Sequence, residues 1–305
     1  MNTRRAFTLV EVLTVVVIIS ILAALVTLAV AGAMSAAKRG RITMEMSQVA
    51  MALEHYKAEF GEYPPDMFDD EALVRHVKKR WPRLVLSGVN DADFIRTAIS
   101  TAYGNGVDFT QANSQVGALA LWLGGFPNSD GKFSGFFADP ENPFIPSVPV
   151  AFDNKNFGDL ELGKNVRIVN FDSCFVPIIG NEIRDVFVPI VYFRGLSSGG
   201  HRAYMITDEN HAKSGQVKQF DFRYADLGFC VPYAEDENGG VTKWKNPTTY
   251  QLIHPGLDGK FGEPAPGNPT VAPLRIIKSG ANIGADDLDN LTNFSDNKEL
   301  KSILP

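Results

Sequence analysis

The chain begins with a long uncharged apolar segment. Residues 12–37 contain no Asp, Glu, Lys or Arg. An α-helix rises about 1.5 Å per residue, so a helix of this length exceeds the roughly 30 Å hydrocarbon core of a bilayer. No later apolar run reaches a comparable length. The pattern therefore predicts one membrane-spanning helix near the N-terminus.

Beyond the first charged residues, the pattern becomes that of an amphipathic helix. Apolar residues recur at spacings of four and three, which place them on one helical face. These positions are Ile42, Met46, Val49, Leu53, Tyr56 and Phe60. Gly61, Pro64 and Pro65 follow, and both residue types end helices. One continuous helix is therefore predicted from about Phe7 to Phe60, with its outer half packed on a globular head.

The remainder of the chain has the pattern of an α+β head with long loops. It is rich in Gly, Pro, Asn and Asp and carries short apolar runs. Helices are predicted at 71–79, 91–101 and 116–123, and strands at 166–171, 186–193, 203–207, 218–224 and 250–253. The region 66–185 is interpreted as a large insertion in the loop between the long helix and the sheet.

Composition, charge and the motifs present argue against some classes of function. The 305 residues are 45% hydrophobic and 21% charged, as is typical of a folded protein of one or two domains. The net charge of −6 provides no basic field for a polyanion, so no nucleic-acid partner is expected. The sequence has no Walker or His-Glu-x-x-His motif, residues 195–200 are interpreted as a flexible loop, and an enzyme is not expected.

The chain has two cysteines, Cys174 and Cys230. They are too few for a disulfide scaffold or a four-cysteine zinc site. A disulfide between them is possible if the head lies outside the cytoplasm. Two free thiols are an equally open alternative, because sequence spacing does not give the distance between the two Cα atoms.

Glu11 lies at the beginning of the apolar segment and needs an explanation. A carboxylate in the membrane costs a few kcal/mol unless it has a partner. Cleavage after Ala6 would give Phe7 a free α-amino group, four residues from this carboxylate. A secretory signal peptide, with Arg4 and Arg5 as its basic region, normally has a shorter apolar region. A plain membrane anchor leaves the carboxylate unexplained.

The N-terminal segment resembles the class III signal of type IV prepilins and pseudopilins. It has a short basic leader, the small residue Ala6, then Phe7-Thr8-Leu9, and Glu11 before an uninterrupted apolar helix. Ala6 stands where this family more often has glycine. The resemblance implies that a prepilin peptidase removes residues 1–6 and methylates the amine of Phe7. It also implies that Glu11 pairs with the terminal amine of a neighbouring subunit during filament assembly.

The passage 53–64 is similar to the end of the first helix in major pseudopilins of type II secretion, which carry a Leu, a Tyr and then Gly-x-Tyr-Pro. The resemblance implies a pilin-like α+β fold, with a long helix packed on an antiparallel β-sheet head. The expected divisions are a leader at 1–6, a transmembrane helix at 7–34, an amphipathic helix at 35–62, the insertion region at 63–185 and the β-sheet head at 186–305.

The family resemblance predicts a structural subunit of a type II secretion or type IV pilus filament. It would be held in the inner membrane with its N-terminus in the cytoplasm and its head outside. Its partners would be prepilin peptidase, other pilin-like subunits and an inner-membrane assembly platform. The alternative is a membrane-tethered ligand-binding protein that a pilin-type signal displays.

The acidic C-terminal loops are the predicted metal site. Residues 256–262 and 284–294 are rich in Gly and Asp, and calcium prefers carboxylate and carbonyl oxygens on tight turns. Major pseudopilins carry similar loops that hold calcium, and the similarity covers Asp258, Asp287 and Asp289. The alternative is a solvated turn without a metal, since residues 263–281 separate the two loops.

Overall fold

The computed structural model describes residues 9–86, 90–103, 117–126, 134–146, 149–155, 157, 190–196, 199–206, 215–221, 227–264 and 273–305. The chain divides into two compact units, Met1–Ile42 and Thr43–Pro305. Helix α1, Leu9–Phe60, begins in the first unit and ends in the second.

The first unit is helical throughout its described part. Among the described residues, α1 is the one helix long and apolar enough to cross a membrane, and none of its most apolar window is buried. The hydroxyls of Thr14, Ser20 and Thr27 donate hydrogen bonds to carbonyls one turn earlier in the helix, at 2.7–2.8 Å. These polar side chains are therefore satisfied within the helix, as a bilayer requires.

In the second unit, α1 buries the face that the sequence predicts. Met46, Val49, Leu53 and Tyr56 are fully buried. The helix ends after Phe60, where Gly61 adopts a left-handed conformation with φ 76° and donates a hydrogen bond to the Lys57 carbonyl. A glycine tolerates this cap without steric cost. The predicted end of the long helix is confirmed.

Three shorter helices follow close to their predicted positions: α2 (Asp70–Arg80), α3 (Asp91–Tyr103) and α4 (Ala118–Gly124). Acidic residues begin α2 and basic residues end it, which complements the helix dipole. Every residue of α4 is buried. The described part of the predicted insertion therefore contains three helices and a buried aromatic cluster, where the Trp81 ring lies 4.9 and 5.2 Å from the rings of Phe136 and Phe144.

The described β-strands lie in the C-terminal part of the second unit. Nine strands are described: β1 (Val191–Arg194), β2 (Phe220–Asp221), β3 (Phe229–Cys230), β4 (Tyr233–Asn238), β5 (Val241–Trp244), β6 (Tyr250–His254), β7 (Arg275–Ile276), β8 (Leu291–Thr292) and β9 (Lys298–Glu299). The main sheet is antiparallel in the order β1-β6-β8-β9. Strands β2 and β3 form an antiparallel pair, and the third sheet has the order β5-β4-β7, with β4 and β7 parallel. The predicted α+β class, a long helix followed by an antiparallel head, is confirmed.

Individual strand predictions differ in outcome. The strand at 250–253 is confirmed by β6, and the described part of 186–193 contains most of β1. The prediction at 203–207 is wrong in its described part, which is a turn with a single bridge between Met205 and Val217. Within 218–224 only β2 is a strand and residues 222–224 lie outside the described residues, as does 166–171.

The β4–β5 hairpin was not predicted from the sequence. Strand β4 reads Tyr-Ala-Glu-Asp-Glu-Asn, and its far end is exposed, so the apolar alternation that marks a strand is missing. Asn238 pairs with Val241 across a two-residue turn, and both turn residues are glycines with positive φ. An Asn-Gly-Gly turn of this type is a recognised hairpin signal.

A buried polar network joins the end of α1 to α2 and the main sheet. The Tyr56 hydroxyl lies 2.6 Å from His76 Nε2 and accepts a hydrogen bond from Arg80. His76 Nδ1 lies 3.1 Å from Glu62, which also accepts a hydrogen bond from Arg194 of β1 at 2.9 Å. If Tyr56 donates to Nε2, the proton of His76 is on Nδ1 and points to Glu62, which satisfies the whole series.

The network shifts the pKa values of His76 and Glu62. Burial lowers the pKa of His76 despite the neighbouring Glu62 carboxylate. Burial alone would raise the pKa of Glu62, but the hydrogen bonds from His76 and Arg194 lower it to about 2. The carboxylate is therefore ionised and His76 is neutral near pH 7.

We expect Glu62→Gln to reduce the acid sensitivity of the fold. The folded-state pKa of Glu62 lies below its ordinary value of 4.5, so its contribution to stability is complete above pH 4.5 and is lost as pH falls towards 2. Denaturant unfolding of the full chain in detergent at a series of pH values should show a shallower decrease for Glu62→Gln than for the wild type. The matched control is Glu237→Gln on the exposed end of β4, which should keep the wild-type slope. An unchanged slope in Glu62→Gln would contradict the assignment.

Candidate assembly helix and acidic C-terminal loop

The predicted processing residues, Ala6 and Phe7, lie outside the described residues. Glu11 lies in the first described turn of α1 and is exposed. It is the one charged residue between Leu9 and Lys38. A carboxylate near the N-terminus of a helix interacts favourably with the helix dipole. Within a membrane it also needs a cationic partner.

The surface of α1 around and after Glu11 is apolar on every side. From Val12 to Met34, the large apolar side chains whose exposure is described, all but that of Leu28, are each roughly half or more exposed, and many occupy consecutive positions rather than one stripe. A helix that is apolar on all faces is stable only when lipid or other apolar helices surround it. This part of α1 is therefore a surface for the membrane or for neighbouring helices.

Two of the three predicted calcium ligands come together in the C-terminal loops. The carboxylate of Asp289 accepts hydrogen bonds from the backbone N–H groups of Leu257 and Asp258, at 2.7 and 3.2 Å. Gly256 has φ 69°, and a Cβ at this position would overlap the Asp289 carboxylate. Burial raises the pKa of Asp258. The hydrogen bond from the Lys260 backbone N–H lowers this pKa, but the negative charge of Asp289 raises it, and the net shift is upward. The Gly-x-Asp-Gly turn is thus shaped around a second acidic side chain.

The third predicted ligand, Asp287, has a different role. Its Oδ1 lies 2.8 Å from Arg275 Nε, and both side chains are 1% exposed. Tyr233 donates a hydrogen bond to the same oxygen, and the backbone N–H of Gly284 donates to Oδ2. Asp287 is therefore the partner of a buried guanidinium rather than a ligand that faces Asp258. The prediction that Asp287 shares one calcium site with Asp258 and Asp289 stays a prediction.

Arg275, the buried partner of Asp287, was not among the residues predicted for this region. It lies on β7 and also donates a hydrogen bond to the Phe229 carbonyl. A Cβ at Gly262, where φ is 135°, would overlap both Arg275 and Asp287. One charge within the apolar run from Leu274 to Ile277 was the available signal, because a lone charge in an apolar strand is buried and needs a partner.

The described residues fit calcium only in part. No group of three or more His, Cys, Asp or Glu side chains among them is arranged to hold a metal ion. Asp289 Oδ1, however, is buried with no hydrogen-bond partner in the described part of the chain. Asp258, Asp289 and backbone carbonyls of the turn would be the protein ligands, with water completing the six to eight oxygens that calcium takes. Calcium binding stays a prediction.

The predicted disulfide is also untested. Cys230 lies buried on β3, and burial raises the pKa of its thiol. Cys174 lies outside the described residues. A bond between these two cysteines therefore stays a prediction.

Comparison with known proteins gives a match for the N-terminal segment of the chain. A family model described as the prokaryotic N-terminal methylation motif matches residues 1–27, a segment that contains Ala6, Phe7 and Glu11. No curated protein and no solved structure matches the chain. The motif indicates a type IV pilin-like precursor that prepilin peptidase processes, and together with the apolar helix α1 it supports anchoring in a membrane.

Calcium titration of the full chain in detergent tests the two-carboxylate site. We expect binding heat and a higher melting temperature, because calcium would neutralise the paired negative charges of Asp258 and Asp289. Asp289→Asn should remove the heat, whereas Asp286→Asn, which changes an acidic neighbour on the same loop, should retain most of it. The absence of heat and of a thermal shift in the wild type would exclude the site.

Removing Arg275 should destabilise the head strongly. Arg275→Met leaves Asp287 as a buried carboxylate without its cation, and breaking a buried pair in this way typically costs about 3–5 kcal/mol. The matched control is Lys278→Met, three residues later, which breaks an exposed pair with Asp236 and should change the free energy of unfolding little. Denaturant unfolding of the full chain measures both, and equal effects would contradict the structural role of the Arg275–Asp287 pair.

Proposed function

We propose that the chain is a structural pseudopilin or pilin-like subunit of a type II secretion or type IV pilus filament. The observation that supports this most directly is the juxtaposition of the N-terminal methylation motif at 1–27 with an exposed apolar helix that carries Glu11 as its one charge before Lys38. The role requires no catalytic activity. The Gly61-Glu62-Tyr63-Pro64 passage and the acidic C-terminal loops favour secretion over a pilus.

The proposed assembly step follows from the physics of α1. Lipid tails are as apolar as the side chains of this helix, so burial of apolar surface alone does not drive helices together in a membrane. A carboxylate in hydrocarbon strongly favours an opposite charge. Cleavage after Ala6 creates such a charge at the amine of Phe7. Glu11 of one subunit and Phe7 of the next would therefore pair and fix the axial register of neighbouring helices.

Membrane storage and filament growth use the same surface in this proposal. The apolar part of α1 is surrounded by lipid before assembly and by other pilin-like helices afterwards. An inner-membrane platform would move the subunit from one environment to the other. The second unit, which carries the amphipathic end of α1 inside its own core, would form the outer surface of the filament.

A second candidate function is ligand binding by a displayed head. A cavity of about 870 Å³ lies beside strand β5 and is lined by Trp244, Lys243, Lys245, His201 and Glu235, among others. Its size is within the usual range of small-molecule sites, and it combines an aromatic surface with charged groups. In this case the N-terminal helix would serve only as an anchor.

A substitution at Glu11 separates the two functions. We expect the wild-type mature chain to begin with N-methylated Phe7, and we expect Glu11→Val to abolish oligomers because the Phe7 amine then has no carboxylate to pair with. Crosslinking in cells of the native host, followed by immunoblotting, should show a ladder for the wild type and only monomer for Glu11→Val. The mature N-terminus is read by mass spectrometry.

Thr14→Val is the matched control, since it changes a polar residue on the same helix whose hydroxyl bonds only within α1 among the described residues. It should retain the ladder. Any mature N-terminus other than methylated Phe7, or a normal ladder in Glu11→Val, would reject the assembly role. A normal ladder would also favour the displayed ligand-binding head.

A further inference from the structure

Lys218 is buried with two carboxylates in the core of the head. Its Nζ lies 2.8 Å from Asp66 Oδ2 and 2.8 Å from Asp69 Oδ2, and it donates a hydrogen bond to the Arg194 carbonyl at 3.0 Å. The side chains of Lys218, Asp66 and Asp69 are 1%, 3% and 6% exposed. Lysine and aspartate are almost never buried to this degree unless they are paired, as these three residues are.

An aromatic cluster of three side chains lies beside this triad. Phe68 packs against Phe193 and Phe220, with ring centroids 6.2 and 5.1 Å apart, and Phe193 lies 5.3 Å from Phe220. Lys218 Nζ is 5.9 Å from the Phe68 ring centroid. The amine and the two carboxylates are therefore in contact within an apolar environment.

The charges in the triad do not cancel. One ammonium faces two carboxylates. Burial lowers the pKa of Lys218, but the carboxylates of Asp66 and Asp69 raise it above its ordinary value, so its amine is an ammonium near pH 7. A proton transfer from the ammonium to Asp66 produces a neutral amine beside a neutral carboxylic acid and leaves one carboxylate. Low-dielectric surroundings disfavour charged groups, so they reduce the free-energy difference between this neutral pair and the ion pair.

The two aspartates are held differently. Asp66 Oδ2 accepts a hydrogen bond from the Arg194 backbone N–H at 2.9 Å, and Oδ1 accepts one from the Phe68 N–H at 3.3 Å. These N–H groups fix the plane of the carboxyl and point at the oxygens where negative charge would develop during attack at its carbon. Asp69 occupies the N-cap position of α2 without capping the helix through its side chain, and its carboxylate reaches the same amine.

We propose that Lys218 and Asp66 form an intramolecular amide bond, with Asp69 as the proton shuttle. The neutral Nζ of Lys218 attacks the Cγ of protonated Asp66, so a C–N bond forms. Asp69 accepts the proton that the nitrogen loses and donates it to the departing hydroxyl. The C–O bond then breaks and one water leaves. The reaction is a condensation in which nothing is oxidised or reduced.

The bond would tie together parts of the head that are 152 residues apart in sequence. It would join the segment between α1 and α2 to the segment that precedes β2. A covalent link between such distant positions restricts the unfolded chain. It would also prevent separation of these elements under tension, which suits a subunit that carries load along a filament.

Peptide mass spectrometry of the wild-type chain tests the proposal without any variant. Trypsin cleaves after Lys57, Arg75, Lys213 and Arg223, so the reacted protein should yield peptides 58–75 and 214–223 joined and lighter than their sum by one water. Cleavage after Lys218 should be absent, because its amine is acylated. Two separate linear peptides with cleavage after Lys218 would overturn the proposal. Fragmentation that places the bond at Asp69 would overturn the assignment of Asp66.

Variants test the role of Asp69. Asp69→Asn preserves the shape of the side chain but removes the proton acceptor, and we expect the joined peptide to be lost. Asp70→Asn is the matched control at the next residue, which pairs with Arg96 and should retain the bond. Circular dichroism and a cooperative melt of each full-length variant in detergent establish that it is folded. A folded Asp69→Asn protein with the wild-type amount of joined peptide would overturn the shuttle role.

Discussion

The fold of the second unit depends on the burial of one face of α1 beyond Thr43. Met46, Val49, Leu53 and Tyr56 provide a continuous apolar face, and the polar atom at its end, the Tyr56 hydroxyl, needs partners because it is buried as well. His76 and Arg80 of α2 supply them, and Glu62 and Arg194 continue the series to the main sheet. This part of the helix, beyond Thr43, is thus held in the head by apolar packing from Met46 to Tyr56 and by directional hydrogen bonds at its end.

Buried charges organise the rest of the head. Arg194, Lys218 and Arg275 are each less than a tenth exposed, and each lies beside at least one carboxylate. Such pairs contribute little net stability relative to an apolar core, but an arrangement that separates them is strongly disfavoured. They lie where segments distant in sequence meet. Arg194 and Lys218 connect the α1–α2 segment to β1 and to the residues before β2, and Arg275 connects β7 to the C-terminal loop. This placement selects the correct long-range pairing among alternatives that would bury similar apolar area.

In the C-terminal loops, one of the three aspartates predicted to bind calcium pairs with a buried arginine. The glycines and aspartates occur in the order expected of a calcium loop, yet Asp287 is neutralised by a guanidinium from β7. An arginine supplies a fixed cation with defined hydrogen-bond directions, whereas calcium requires several converging oxygens. Asp258 and Asp289 retain the second possibility, since the Asp289 carboxylate accepts hydrogen bonds from the turn that carries Asp258, and one oxygen of Asp289 is buried without a hydrogen bond among the described residues.

The sequence alone determined the long helix and the positions of α2 to α4, because these depend on local periodicity. It also determined the end of α1 at Phe60, because glycine and proline follow there, and the identity of the N-terminal motif, because that motif is contiguous. It did not reveal the β4–β5 hairpin, whose exposed polar strand lacks alternation. It also did not show the packed core within the predicted insertion or the partners of Asp287 and Lys218. Those features depend on contacts between residues far apart in the chain. Only the tertiary structure brings Arg275 to Asp287 and Asp66 to Lys218, since the type of a charged residue shows that it needs a partner but not which one it meets.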